Sequence, residues 1–266
     1  MTVAKTTEQQ ILDMPPGRLF KYSDLKIPAA QFEALAASLS RLAKKGVIRR
    51  LKKGYYYIPK KSVFGELKPS QNEIVRKFTF ECNSQIGYES GLSVFNALGL
   101  TTQVPNGVTI VTRKPKSFDK VVNTRIRFIK TNINFKKSDI KLLQILDALK
   151  NIKNIPDSII ENSIRNIKAH FSKFTNKDLL RILTFVKNYN PSTKALVGAI
   201  ISDIICNHGD RPAFNVGKDN QNIDSGFKGN LFKELNSLKN TLNPFTIFNI
   251  GVSKNILPNK SDWRII

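Results

Sequence analysis

From Pro28 to Ile58 the chain reads PAAQFEALAASLSRLAKKGVIRRLKKGYYYI, and no other stretch constrains the fold as tightly. Phe32, Leu35, Leu39 and Leu42 recur at helical spacing, which predicts a helix over Ala29 to Lys45 with those side chains turned to a core. Gln31, Ala34, Ser38, Arg41 and Lys45 then fall on the outward face. Gly46 ends the helix where a left-handed residue is wanted. Val47 to Leu51 and Tyr55 to Ile58 read as two strands joined through Lys52, Lys53 and Gly54. A helix followed by a hairpin is the layout of a winged helix-turn-helix. Between Arg41 and Lys53 seven residues are basic (Arg41, Lys44, Lys45, Arg49, Arg50, Lys52, Lys53) and none is acidic. A solvated face normally mixes both signs; charge gathered at a helix end and a hairpin tip suits the flanks of a DNA groove.

The residues before this stretch fit the same layout. Thr7 with Gln10 spells a capping pattern for a first helix ending at Met14, Leu19 to Tyr22 reads as a short strand, and Ser23 caps a single turn. Residues 1–60 thus form a small winged-helix domain. Pro59 to Pro69 lacks a period and carries Pro and Gly, so residues 61–69 read as a linker. Residues 70–266 make a larger second domain. In it Ser70 and Glu73 cap a helix, Leu92, Phe95 and Leu98 mark a short helix ended by Gly99, and Val108 to Val111 and Thr124 to Lys130 read as strands. On the second strand Arg125 and Arg127 alternate with Ile126 and Phe128, which gives one cationic and one apolar face.

From Ser138 onward the pattern is helical. Leu142, Leu143, Leu146 and Leu149 form one stripe; Ile160, Ile164, Ile167 and Phe171 a second; Leu179, Leu183 and Val186 a third; Val197, Ile200, Ile201, Ile204 and Ile205 a fourth. Ser158 with Glu161, Thr175 with Asp178, and Ser192 after Pro191 read as their caps. Asn207 to Gly229 is polar and rich in Gly and Asn, and reads as a long loop before a last helix, Leu231 to Leu242. The apolar and aromatic tail should pack back on the bundle. The expected class is therefore α+β and mainly helical: a winged helix followed by a domain with a small β-sheet and a helical bundle.

The net charge of +23 over 266 residues points to a polyanionic partner. A membrane fits less well, because the longest apolar run, Ala195 to Cys206, is short and interrupted by Asp203. The opening MTVAKTTEQQ has no apolar signal-peptide core, and two cysteines far apart, Cys82 and Cys206, suit a reducing cytoplasm. A second basic block spans Arg113 to Lys141, with ten Lys or Arg residues against Asp119 and Asp139. From it Arg113, Lys114, Lys116, Arg125 and Arg127 are candidates for further phosphate contacts, the alternatives being a surface for an acidic partner and an ordinary solvated face.

Signals for catalysis are weak. There is no phosphate-binding loop, no G-x-S-x-G elbow and no cofactor motif. His170 and His208 are the only histidines, and Cys206 with His208 makes too small a set for a metal. A metal-dependent nuclease needs clustered carboxylates beside a lysine. Glu66-Leu67-Lys68 and Asp139-Ile140-Lys141 have that spelling, with Asp119 or Glu89 required to complete either. No catalytic or metal-binding residue is expected on this reading.

Several segments resemble the AbiEi family of antitoxins from bacterial type IV toxin-antitoxin systems: ILDMPPGRLFKYSDL, LSRLAKKGVIRRLKKGYYYIPKK, FGELKPS, GYESGLSVFNALGLTTQVPN and the ending LNPFTIFNIGVSKNILPNKSDWRI. The resemblance implies a winged helix that represses its own operon at inverted repeats in double-stranded DNA. It also implies a C-terminal domain that counters a nucleotidyltransferase-like toxin, with or without direct contact. Carried onto this chain, the reading helix is Ala29 to Lys45 and the wing Arg49 to Lys53. Side-chain chemistry then expects Gln31, Ser38 and Arg41 at bases and Lys44, Lys45, Arg49, Arg50, Lys52 and Lys53 at phosphates. The alternatives are a regulator that responds to a ligand or an acidic protein without any toxin, and the nuclease.

Overall fold

The computed structural model describes residues 2–81, 84–115, 120–121, 124–207 and 224–266. Its class is the one the periodicities predict, a mainly helical α+β fold. The chain forms two compact units, one of Met1–Glu89 with Asn106–Thr131 and one of Ser90–Pro105 with Asn132–Ile266. These differ from the sequence division at residues 61–69, because the apolar face of the downstream sheet packs with the winged helix. Nor is that stretch a bare linker, since it holds a hairpin of its own.

The first unit opens with α1 (Val3–Leu12), β1 (Leu19–Lys21), α2 (Phe32–Lys44), β2 (Arg49–Lys52) and β3 (Tyr55–Tyr57). Helix α1 begins before Thr7, which lies buried inside it with its hydroxyl donating to the Val3 carbonyl at 2.7 Å. A 3-10 turn at Ala29–Gln31 leads into α2. The strand order β1-β3-β2 is antiparallel throughout, as a winged helix requires. At the end of α2, Val47 N–H donates to the Leu42 carbonyl and Gly46 N–H to Ala43, at 3.1 Å each, with Gly46 at φ +79. That left-handed residue closes the helix and turns the chain into the wing. Ile11, Phe20, Leu25, Leu35, Leu39, Leu42, Ile48 and Tyr56 form the core between these elements.

A second hairpin follows, β4 (Lys60–Ser62) and β5 (Gly65–Leu67). Then come α3 (Gln71–Thr79), β6 (Phe80–Glu81), β7 (Ser84–Gln85), β8 (Gly87–Ser90), β9 (Gly107–Thr112), β10 (Lys120–Val121) and β11 (Thr124–Lys130). Ser70 caps α3 by accepting the Glu73 N–H at 3.3 Å, as expected. The larger sheet runs β10-β11-β9-β8, with β11 parallel to β9 and antiparallel to β10. Its apolar face and α3 share a core with the wing: Leu19 and Tyr57 pack with Ile74, Phe78, Val108, Ile110, Val121 and Ile126. Glu73 strengthens the joint by accepting the Leu19 N–H at 3.3 Å.

The second unit holds α4 (Leu92–Ala97), α5 (Ile140–Lys150), α6 (Ile160–Phe171), α7 (Asn176–Val186), α8 (Pro191–Asn207) and α9 (Asp224–Asn240). The apolar stripes are buried as expected, except that Ile160 and Ile205 are only half-buried. Ala195, Leu196, Val197, Ala199, Ile200 and Ile201 are all buried, so α8 is enclosed on every side by its neighbours. Thr175 and Asp178 form the expected reciprocal cap of α7. Two other caps differ. Ser158 Oγ donates to the Ile155 carbonyl at 2.9 Å while Ile159 precedes α6, and Asn190, not Ser192, accepts the Thr193 N–H at 2.9 Å. Helix α9 starts at Asp224, earlier than the expected Leu231; residues 208–223 of the anticipated loop lie outside the described residues. The tail does pack back: Ile250, Val252, Leu257, Trp263 and Ile265 are buried, and Phe248 N–H donates to the Arg264 carbonyl at 2.7 Å. Among the described residues no helix is long and apolar enough to cross a membrane.

Candidate nucleic-acid interface

Helix α2 turns Leu35, Ser38, Leu39 and Leu42 inward. Ser38 is 3% exposed, so it does not stand on the outward face where the sequence reading placed it. The reason is its position at i+3 from Leu35 and i−4 from Leu42, the middle of the buried stripe. Phe32 departs the other way: at the first residue of α2 it is 51% exposed and rests against Tyr22, ring centroids 5.0 Å apart. Gln31, Ala34, Arg41, Lys44 and Lys45 are exposed as expected, and Ala37 is exposed with them. Ser40 and Glu33 share that exposure and were not anticipated; a plain 3.6-residue count from Ala37 and Lys44 would have found Ser40. The resulting surface carries Phe32 and the acid Glu33 on its first turn, then small and polar residues, and is cationic over the last turn.

The wing continues this charge. Arg50, Lys52 and Lys53 are exposed, and the turn at Lys53 and Gly54 is held by Gly54 at φ +80. Along β2 burial alternates, with Leu51 packed against the core beneath and Arg50 and Lys52 on either side of it exposed, and the register with β3 shifts between those two residues. Arg49 is different. Its Nε and Nη2 donate to both carboxylate oxygens of Glu66 on β5 at 2.8 and 2.9 Å. The bidentate bond raises the arginine's pKa and holds the Glu66 carboxyl below the usual range. The wing therefore does have an acidic neighbour, supplied by the hairpin after it, and Arg49 ties two hairpins together instead of standing open to a phosphate.

The second basic block divides. On β11 Arg125 and Arg127 are exposed while Ile126 is buried and Phe128 half-buried, which gives the cationic face its alternation predicts. Arg113 is exposed. Lys114 pairs with Glu81 at 3.1 Å, as does Lys21, and these two hold the Glu81 carboxyl down to about 2. Lys77, half-buried beside them, pairs with Asp24. The cleft among Lys21, Tyr55, Lys77, Glu81, Lys114 and Phe128 measures about 10 Å³, room for roughly one water. Lys116 and Asp119 lie outside the described residues.

The carboxylates weighed for a nuclease are engaged elsewhere. Glu66 holds Arg49; Asp139 accepts from Arg181 at 2.9 Å and from the Lys136 N–H at 2.8 Å. Burial pushes Asp139 up, but Arg181 and that N–H outweigh it and keep the carboxyl low. Among the described residues no three His, Cys, Asp or Glu side chains stand together as a metal would require.

The comparisons address this architecture as a whole. No curated protein matches the chain. Among solved structures, the "Crystal structure of RV2827C protein from Mycobacterium tuberculosis" is similar at a TM-score of 0.48 and 11% identity, covering 93% of this chain and 84% of that one. The family described as "Family of unknown function (DUF6088)" matches residues 7–201, from within α1 into α8. With the winged helix, the mixed sheet and most of the bundle inside that span, the chain belongs to the DUF6088 family.

Proposed function

We propose that this protein is a DNA-binding repressor of its own operon, acting as the antitoxin of a toxin-antitoxin pair. The observation that supports the DNA-binding part best is the exposure of Arg41, Lys44 and Lys45 at the end of α2 and of Arg50, Lys52 and Lys53 on the wing that follows it. The opposite side of these elements is locked into a core, so the charge stays in one orientation. A helix of this kind presents its outer face to the major groove while the wing touches the flanking backbone. Arg41 is placed for a bidentate guanine contact, with Ala34 and Ala37 small enough for close approach and Gln31 and Ser40 able to bond base edges. The antitoxin part rests on the AbiEi resemblance, which carries with it a nucleotidyltransferase-like toxin encoded next door.

The test is fluorescence anisotropy on the duplex immediately upstream of the gene against a scrambled duplex, over a salt series. A preference of about 10³-fold that persists near physiological salt supports operator recognition. Equal, steeply salt-sensitive binding to both duplexes refutes it. Co-expression with the adjacent reading frame tests the rest: relief of growth arrest supports an antitoxin, and a harmless neighbour leaves a regulator without a toxin.

A further inference from the structure

We propose that the β4–β5 hairpin is a second wing, whose tip residues Val63 and Phe64 enter the minor groove beside the α2 site and wedge open a base step. This rests on the DNA-binding reading above. Val63 and Phe64 are 94% and 96% exposed, at the end of a hairpin built to hold them there. Ser62 Oγ donates to the Gly65 carbonyl at 2.9 Å and accepts the Phe64 N–H at 3.2 Å, and Gly65 sits at φ +104, a conformation other residues rarely adopt. The turn is therefore preset before anything binds.

Charge and position choose the occupant. Lys61 stands exposed one pair behind the tip and Lys60 and Lys68 at the base of the hairpin, and the one acid of the hairpin, Glu66, is taken up by Arg49. An apolar point carried on a basic stem is the form of side-chain wedge that minor-groove binders use, the lysines behind it holding phosphates while the aromatic residue unstacks a step. The Arg49 guanidinium, which lies against Gly46 at the end of α2, fixes where the hairpin stands. Phe64 precedes Glu66 by two residues, about 7 Å at the rise of a strand. The tip is thus held close to the basic end of α2, and the minor groove adjoins the major groove across a single phosphate backbone.

The experiment uses the full chain and the upstream duplex with 2-aminopurine placed at successive steps flanking the site, and with end labels to report bending. For the wild type, one flanking step is expected to brighten and the duplex ends to draw together. F64A is expected to keep the base preference set by α2, lose the brightening and the bend, and bind about tenfold more weakly, the worth of one stacking contact. Because Phe64 touches solvent, F64A folds, and a circular dichroism spectrum like the wild type's checks this. E66Q, which keeps the Phe64 side chain but frees the hairpin from Arg49, should dim the same step. If the wild type binds its duplex specifically but no step brightens, or F64A matches it, the wedge is overturned and the operator reading stands. If the wild type shows no specific binding, both fall. If F64A leaves DNA binding intact but loses capture of the neighbouring frame's product, the tip is a protein contact and the proposal fails.

Discussion

Gly198 lies within α8, where alanine is the better helix former by roughly 1 kcal/mol. On helix propensity alone Gly198→Ala stabilises the second unit. The packing predicts the opposite sign. A methyl at this position would run into Cζ3, Cη2 and Cε3 of the Trp263 ring, the farthest of them only 2.5 Å away, where real contacts stay beyond 3.0 Å. Trp263 is 4% exposed and cannot swing aside into solvent. Overpacking of this kind costs about 1–3 kcal/mol; taking the upper end for a clash with a ring and subtracting the propensity gain leaves about 2 kcal/mol of destabilisation. For a unit of this size that lowers the Tm by about 4–8 °C. Trp263 is the only tryptophan in the chain, so its fluorescence during urea and thermal unfolding follows the second unit specifically. In a Trp263→Leu background, followed by far-UV circular dichroism in place of the lost fluorescence, the clash is gone, and Gly198→Ala should then stabilise by about 1 kcal/mol. A stabilising effect in the wild-type background, with an unchanged emission maximum, would refute the packing of α8 against this ring.

Glu81, held at about 2 by Lys114 and Lys21 against an ordinary 4.5, contributes stability that is complete above pH 4.5 and is lost as pH falls toward 2. Linkage alone would make this about 3 kcal/mol, and solvent screening of a partly open pair brings it to about 1 kcal/mol; E81Q should flatten the stability profile across that window in acid titrations. R41A should cost about 1–3 kcal/mol on the preferred duplex and relax selection at one base pair, whereas K53A should weaken all duplexes evenly and reduce the salt slope by about one. Competition binding on a randomised site separates the two. Thr175→Ala removes the cap of α7 and should lower the second unit's stability by about 1 kcal/mol in the urea midpoint.

Local signals served the sequence reading where the physics is local. Leu35, Leu39 and Leu42, the glycines at 46 and 54, the caps at Ser70 and Thr175 and the alternation of Arg125 with Ile126 were all legible, because each depends on a helical or strand period or on a turn that glycine alone relieves. The misplacements share one cause. Polarity points Ser38 outward although its spacing lies within the buried stripe, and a hydroxyl such as that of Thr7 can cap a helix or bond back inside one with the same letters. Hydrophobicity points Phe32 to the core, but α2 begins at that residue, and a helix's first position lies at the edge of the buried stripe.

What the amino-acid sequence determined by itself is the class of the fold, the winged-helix order and the concentration of positive charge at the end of α2 and the wing, since these follow from period and composition within a few residues. Tertiary structure alone decided which charges remain open and which are engaged. Glu66 captures Arg49 from 17 positions away, and Glu81 gathers Lys21 and Lys114 from 60 and 33 positions away. It also decided that the sheet of residues 107–130 packs with the winged helix, and that Gly198 exists to admit the ring of Trp263. Such pairings depend on where the chain returns in space, and no local period encodes that return.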